Sequence, residues 1–281
     1  MPLSPVWLLA QPVGLLPMIG GMALEQIGRE TLMTALLPVD ASGKFELVRN
    51  LRAWAGQIFE RAIERGYCQH NPAALIRPER AFGKRQTQHL AALELHQVRA
   101  FMHRLALEGN TQSAVMCRLM ALTWVRTGVL RRMMWSEVDG DIWRIPGAKM
   151  KMRKDLLVPL SKQATEILKM MRQRRTTSAF VFPHPTRADR PASENSVLSL
   201  LYRMEYKGKM TGHGWRSVGS TWANENGFDA DAIERQLAHV PKDEVRATYN
   251  RAQYLTQRRE LLQAWADWLL AEDVDAVGDQ R

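Results

Sequence analysis

Residues 213–249 carry two histidines, an arginine and a tyrosine whose types suit one reaction. His213 and Arg216 stand in a His-x-x-Arg pattern, His239 follows, and Tyr249 lies ten residues beyond it. A phenol is a weak nucleophile because it titrates near pH ~10 and stays protonated at neutral pH. It attacks only where one group removes its proton and others neutralise the electrophile. A phosphodiester flanked by guanidinium and imidazole groups is such an electrophile. A second arginine stands upstream, Arg126, followed by a stretch rich in cations at Lys149, Lys151, Arg153 and Lys154. Taken singly, each has an ordinary reading. An arginine beside Gly128 could cap helix carbonyls, and a charged turn is usually just solvated.

Taken in order, Arg … Lys … His-x-x-Arg … His … Tyr resembles the tyrosine recombinases, specifically prophage and genomic-island integrases, over roughly residues 17–270. The resemblance implies that Tyr249 forms a 3′-phosphotyrosyl link to DNA. It implies that Arg126 and Arg216 hold the non-bridging oxygens and that His213 takes the phenol proton. Lys151 would protonate the leaving oxygen, with Lys149 and Lys154 as rivals, and His239 would hydrogen-bond the phosphate. No metal or other cofactor is expected. The expected partners are double-stranded DNA and further copies of the chain, as a dimer or tetramer on DNA, in the bacterial cytoplasm. Tyr254 is the rival nucleophile, at a longer interval from His239 than the family pattern has. Two departures stand out. Such integrases usually begin with an additional arm-site-binding domain and a longer core-binding domain, so an N-terminally shortened copy is expected. The family also carries a carboxylate three residues after its first arginine, where this chain has Val129. Valine there is expected to slow cleavage, and Val129→Glu to speed it unless the position is buried among apolar groups. A catalytically weak DNA-binding remnant and a type IB topoisomerase-like nicking–closing enzyme are therefore the alternatives.

The bulk composition agrees with a polyanionic partner without demanding one. Among 281 residues, 39 Lys and Arg against 29 Asp and Glu leave a net charge of +10. Cys68 and Cys117 match no metal spacing and point to a reducing compartment. Repeated prolines in the first 17 residues argue against a signal peptide or spanning helix there.

The elements that must position these groups read as mainly helical with a small β-hairpin. The expected division is an irregular lead-in (1–16), a partial helical core-binding domain (17–76), a basic linker (77–90), a mixed α+β catalytic domain (91–271) and an acidic tail (272–281). In the first domain a helix is expected to stop at Pro38. A second, over 44–66, has Leu47, Leu51, Trp54, Ile58, Phe59 and Ile63 on one stripe. Arg49, Arg52, Arg77, Arg80, Lys84 and Arg85 are the DNA-contacting candidates there, joined by Lys149, Arg153 and Lys154 at the hairpin tip. Strands are expected over 140–146 and 155–160. His96 and His103 read as surface residues, and His184, between prolines, as structural. Asp231 with Glu234 reads as a capping box for the helix carrying His239, with Pro241 ending it. The last helix, 257–270, bears Trp265 and Trp268, which suit self-packing or, as the resemblance implies, docking on a neighbouring protomer.

Overall fold

The computed structural model describes residues 15–83, 91–150, 153–174, 177–239 and 253–271. The chain forms two compact units, residues 1–88 and 89–281, each with its own apolar core.

In the first unit, α1 (Arg29–Ala41) packs on α2 (Phe45–Glu64). Helix α1 does not stop at Pro38 but runs one turn past it. Leu36 and Val39, on either side of the proline, are both buried, so tertiary packing outweighs the lost backbone donor. The buried face of α2 is also rotated from the expected stripe. Val48, Leu51, Ala55, Gly56, Phe59 and Ala62 face inward, while Ile58 and Ile63 are 46% and 39% exposed. Small residues at 55, 56 and 62 let neighbouring backbone approach that face. Asn71 fixes the approach: its side-chain oxygen accepts from the N–H groups of Ala73 and Ala74 (3.1 and 3.3 Å), and its amide donates to the Gly56 carbonyl at 3.1 Å. The first half of the expected linker belongs to this unit. Pro78–Ala81 forms a helical turn, Phe82 is buried, and the Gly83 N–H donates to Asp40 at 3.0 Å. The second half of that stretch, 84–90, lies outside the described residues, as does the acidic tail from 272.

The second unit is built around α4 (Gln112–Thr123), in which every residue from Ala114 to Thr123 except Arg118 is buried. Helix α3 (Leu95–Ala106) precedes it and buries Val98, Phe101, Met102 and Leu105. His96 and His103 are exposed. A short helix, α5 (Thr127–Leu130), leads into an antiparallel sheet of β1 (Val138–Asp139), β2 (Ile142–Ile145) and β3 (Leu156–Pro159). Ile142 pairs with Pro159 and Ile145 with Leu156, which gives the expected hairpin. Strand β1 was not legible, because two residues carry no alternation. Helix α6 (Lys162–Arg172) starts at a Ser161 cap. A second hairpin, β4 (Pro183–His184) with β5 (Arg187–Pro191), fills the proline-rich stretch, and His184 Nδ1 faces Thr186 there. Then come α7 (Ser196–Arg203), α8 (Gly214–Glu225), α9 (Ala230–Gln236) and α10 (Leu255–Leu269). Helices α6, α7, α8 and α10 all touch α4.

Helix α9 differs from expectation at both ends. Its cap is Asp229, whose carboxylate accepts from the Ala232 N–H at 2.8 Å, and not Asp231. Its last residue is Gln236, ahead of Pro241, because Ala238 turns left-handed (φ 50°). The His239 N–H then returns to the Glu234 carbonyl (3.0 Å) and the Ala238 N–H to Arg235 (3.1 Å), a Schellman closure. The tryptophans of α10 pack within their own unit. Trp265 is fully buried and donates to the Ala121 carbonyl at 2.8 Å. Ring centroids lie 5.3 Å from Trp265 to Trp222, 6.0 Å to Trp124 and 5.2 Å to Trp268. The indoles suit this interior because it satisfies most of their area without a partner chain.

Candidate active site

Arg126 does not cap the end of α4. That helix closes at Thr123, Trp124 adopts a left-handed conformation (φ 55°), and Arg126 becomes the N-cap residue of α5. A bulky aromatic residue there is strained, and packing holds it. Trp124 is fully buried, with its indole over Gly219 of α8. A β-carbon on Gly219 would lie 2.2 Å from that ring, so the residue must be glycine for the helices to approach this closely.

The strained turn aims the Trp124 carbonyl at Arg216, whose Nη1 donates to it at 2.7 Å. Nη2 donates to the Leu237 carbonyl, one residue before the left-handed Ala238. Arg216 is 4% exposed and is thus a floor residue gripped by two main-chain carbonyls. Burial, with Arg126 adding to it and Glu234 opposing, pulls its pKa down to about 10.

His239 Nε2 lies 3.2 Å from Arg216 Nη2, and its Nδ1 lies 2.9 Å from Glu234 Oε2. Arg216 can only donate, so the network assigns the ring proton to Nδ1, donating to Glu234. Glu234 is therefore the carboxylate that orients His239, a role the sequence disguised as a capping box. His213, exposed at the start of α8, has its pKa lowered by partial desolvation and then by Arg216, Arg126 and His239. Those charge effects show that Arg126, Arg216 and His239 lie close enough to His213 to act on its charge.

The remaining candidates fall into three groups. Tyr249, Lys151, Lys84 and Arg85 lie outside the described residues. Arg77, Arg80, Arg153 and Lys154 are exposed, with Arg153 in a left-handed turn (φ 51°). Arg49, Arg52 and Lys149 are already engaged. Arg49 Nη2 donates to the Gly83 carbonyl (2.9 Å) and Arg52 Nε to that of Ile76 (3.1 Å). The Lys149 ammonium pairs with Glu137, whose other oxygen accepts from Trp143 Nε1 at 3.2 Å. Tyr254 donates to Asp231 Oδ2 at 3.2 Å. The Cys117 thiol offers no rival nucleophile, since burial pushes its pKa up to about 12.

A family model described as "Phage integrase family" matches residues 91–255, and a second, "Phage integrase central domain", matches 9–79. The chain belongs to the phage integrase family. Among similar relatives, prophage integrase IntA of Escherichia coli (strain K12) is 35% identical over 93% of this chain and 63% of its own length. The integrase of Shigella phage Sf6 is 36% identical over 91% of this chain and 67% of its own. The chain thus spans about two thirds or slightly less of these relatives' lengths. A lambda integrase dimer bound to a COC′ core site shares the fold, with TM-score 0.61 and 17% identity over 83% of this chain and 82% of that one. So does the Tn1549 transposon integrase in complex with a circular intermediate DNA, at 0.62 and 13% over 85% and 86%.

Within this integrase-family fold, Val129 occupies the third position of α5 and is 6% exposed in the core. The condition under which a glutamate would harm rather than help is therefore met. A carboxylate buried there without a partner costs about 3 kcal/mol. We expect Val129→Glu to lower the melting temperature by roughly 6–12 °C and not to accelerate single-turnover cleavage. A faster, equally stable variant would reverse this reading.

Proposed function

We propose that this chain is a site-specific DNA recombinase that cleaves and rejoins strands through a phosphotyrosyl intermediate at Tyr249. The observation that carries this reading is Arg216. It is desolvated and braced from behind by two carbonyls, with Arg126, His213 and His239 around it. Phosphoryl transfer needs mainly positioning and charge neutralisation, and this is a site prepared for a doubly charged, pentacoordinate phosphate.

Arg126 and Arg216 hold the non-bridging oxygens. His213, whose lowered pKa keeps it neutral near pH 7, accepts the phenol proton as the Tyr249 oxygen bonds to phosphorus. The bond from phosphorus to the 5′-oxygen breaks, and Lys151 protonates that oxygen. Lys149 is the poorer acid because Glu137 already holds it. His239 presents no N–H toward Arg216 in the tautomer that its partners require. It donates to the phosphate once Nε2 is protonated, with Glu234 stabilising the imidazolium. The 5′-hydroxyl of a second strand then attacks the phosphotyrosyl bond and releases the enzyme. Double-stranded DNA and further copies of the chain are the partners, and the bacterial cytoplasm is the compartment. Among the described residues no helix is long and apolar enough to cross a membrane.

A nicked suicide duplex tests the chemistry: a covalent protein–DNA adduct is expected, and none forms if the chain is an inert remnant. Exchange between two duplexes then separates a recombinase from a nicking–closing enzyme. Binding should also be strongly salt-dependent. With about five cationic contacts to backbone phosphates, log affinity against log salt should have a slope of roughly −4 to −5. A slope near zero would remove DNA from the proposal.

A further inference from the structure

Arg258 of α10 is fully buried, its hydrogen bonds among the described residues go to none of the four site residues described above, and it has no task in that chemistry. Among the described residues every acceptor it meets is neutral. Nε and Nη2 donate to Gln236 Oε1 (2.9 and 2.7 Å), Nη1 to the Gln253 carbonyl (3.1 Å) and Nη2 to the Leu157 carbonyl (2.6 Å). Desolvation, with Arg235 adding to it, pulls its pKa down to about 9. An interior guanidinium without a carboxylate is costly, and an apolar side chain would fill the space more cheaply. What an apolar side chain could not do is fix several points at set distances.

Those points are informative. Gln236 is three residues before His239, and its amide donates to the Thr123 carbonyl at 2.7 Å. Thr123 is three residues before Arg126. Leu157 lies on β3, the first described strand after Lys151 in the chain. Gln253 stands four residues after Tyr249, and its side chain is also gripped by Arg235 of α9, at 3.1 and 2.7 Å. His239 and Gln253 bracket the Tyr249 stretch, so both of its flanks are tied to α9. Anchoring the flanks of a reactive segment narrows the positions its nucleophile samples, which raises effective molarity.

We propose that Arg258 and Gln236 form a buried clamp that sets the relative positions of the four segments carrying Arg126, Lys151, His239 and Tyr249. Arg258 is then a positioning residue, acting on cleavage through main-chain geometry. The clamp rests on the DNA-cleaving reading above.

The test uses the full chain and a nicked suicide duplex, with single-turnover adduct rate, DNA affinity and melting temperature measured for each variant. Arg258→Lys keeps the charge but cannot span the three acceptors. It should cleave on the order of ten- to a hundredfold more slowly with DNA affinity within about twofold. Gln236→Glu keeps an acceptor for Arg258 and adds a charge partner, but loses the donor to Thr123. It should cleave more slowly by a similar factor at a melting temperature near the parent's. It carries the test alone if Arg258→Lys does not fold. A merely structural role predicts rates that track stability. Parent-like rates in folded variants, or losses that only follow the folded fraction, overturn the clamp. A parent that forms no adduct overturns the cleavage reading, and the clamp with it.

Discussion

Tyr249→Phe is expected to abolish the covalent adduct on a suicide duplex and to leave DNA affinity unchanged within about twofold. In the proposed mechanism the lost hydroxyl acts only in bond formation, and guanidinium and imidazole groups hold the phosphate. Tyr254 is the informative control. Its hydroxyl already donates to Asp231 at 3.2 Å, and its left-handed backbone (φ 47°) starts α10. Tyr254→Phe should remove a hydrogen bond of about 1 kcal/mol and leave adduct formation intact. Gel-resolved trapping with both variants decides it. Adduct from Tyr249→Phe together with none from Tyr254→Phe would transfer the nucleophile to Tyr254.

The second large effect belongs to Arg216→Lys. An ammonium is a point charge on a flexible stem. It cannot hold the Trp124 and Leu237 carbonyls and still present parallel donors to a phosphate. Loss of one well-placed donor to a developing negative charge typically slows chemistry roughly a hundred- to a thousandfold. One buried carbonyl would also lose its donor, at about 1–3 kcal/mol of stability. Single-turnover cleavage alongside thermal melting separates the two effects. A cleavage loss below tenfold in a folded Arg216→Lys protein would mean that the phosphate is held elsewhere.

The family was legible because each side chain in the pattern is chosen for chemistry and the order of types is specific. What was not legible depends on backbone direction and on which face turns inward. The Pro38 boundary failed because packing at Leu36 and Val39 outweighs propensity. The α2 stripe failed because alanine and glycine, weak in any hydrophobicity count, line the close contact. In the sequence Glu234 reads as a local cap, since nothing there announces that Ala238 reverses the chain and brings His239 back to it. Trp124, Gly219, Gln236 and Arg258 carry no chemical signature at all. They matter through where they hold other residues.

The two carbonyls behind Arg216 have a consequence for how this chain tolerates drift. Every amino acid supplies a main-chain oxygen, so no replacement at position 124 or 237 deletes the brace by removing an atom. Mutational sensitivity is instead displaced onto whatever keeps the peptide planes turned the right way. Gly219 is the narrowest such point, because even alanine would drive a methyl group into the Trp124 ring. Descendant sequences could thus exchange side chains around the arginine quite freely while one glycine, a turn along α8 from Arg216, stays fixed.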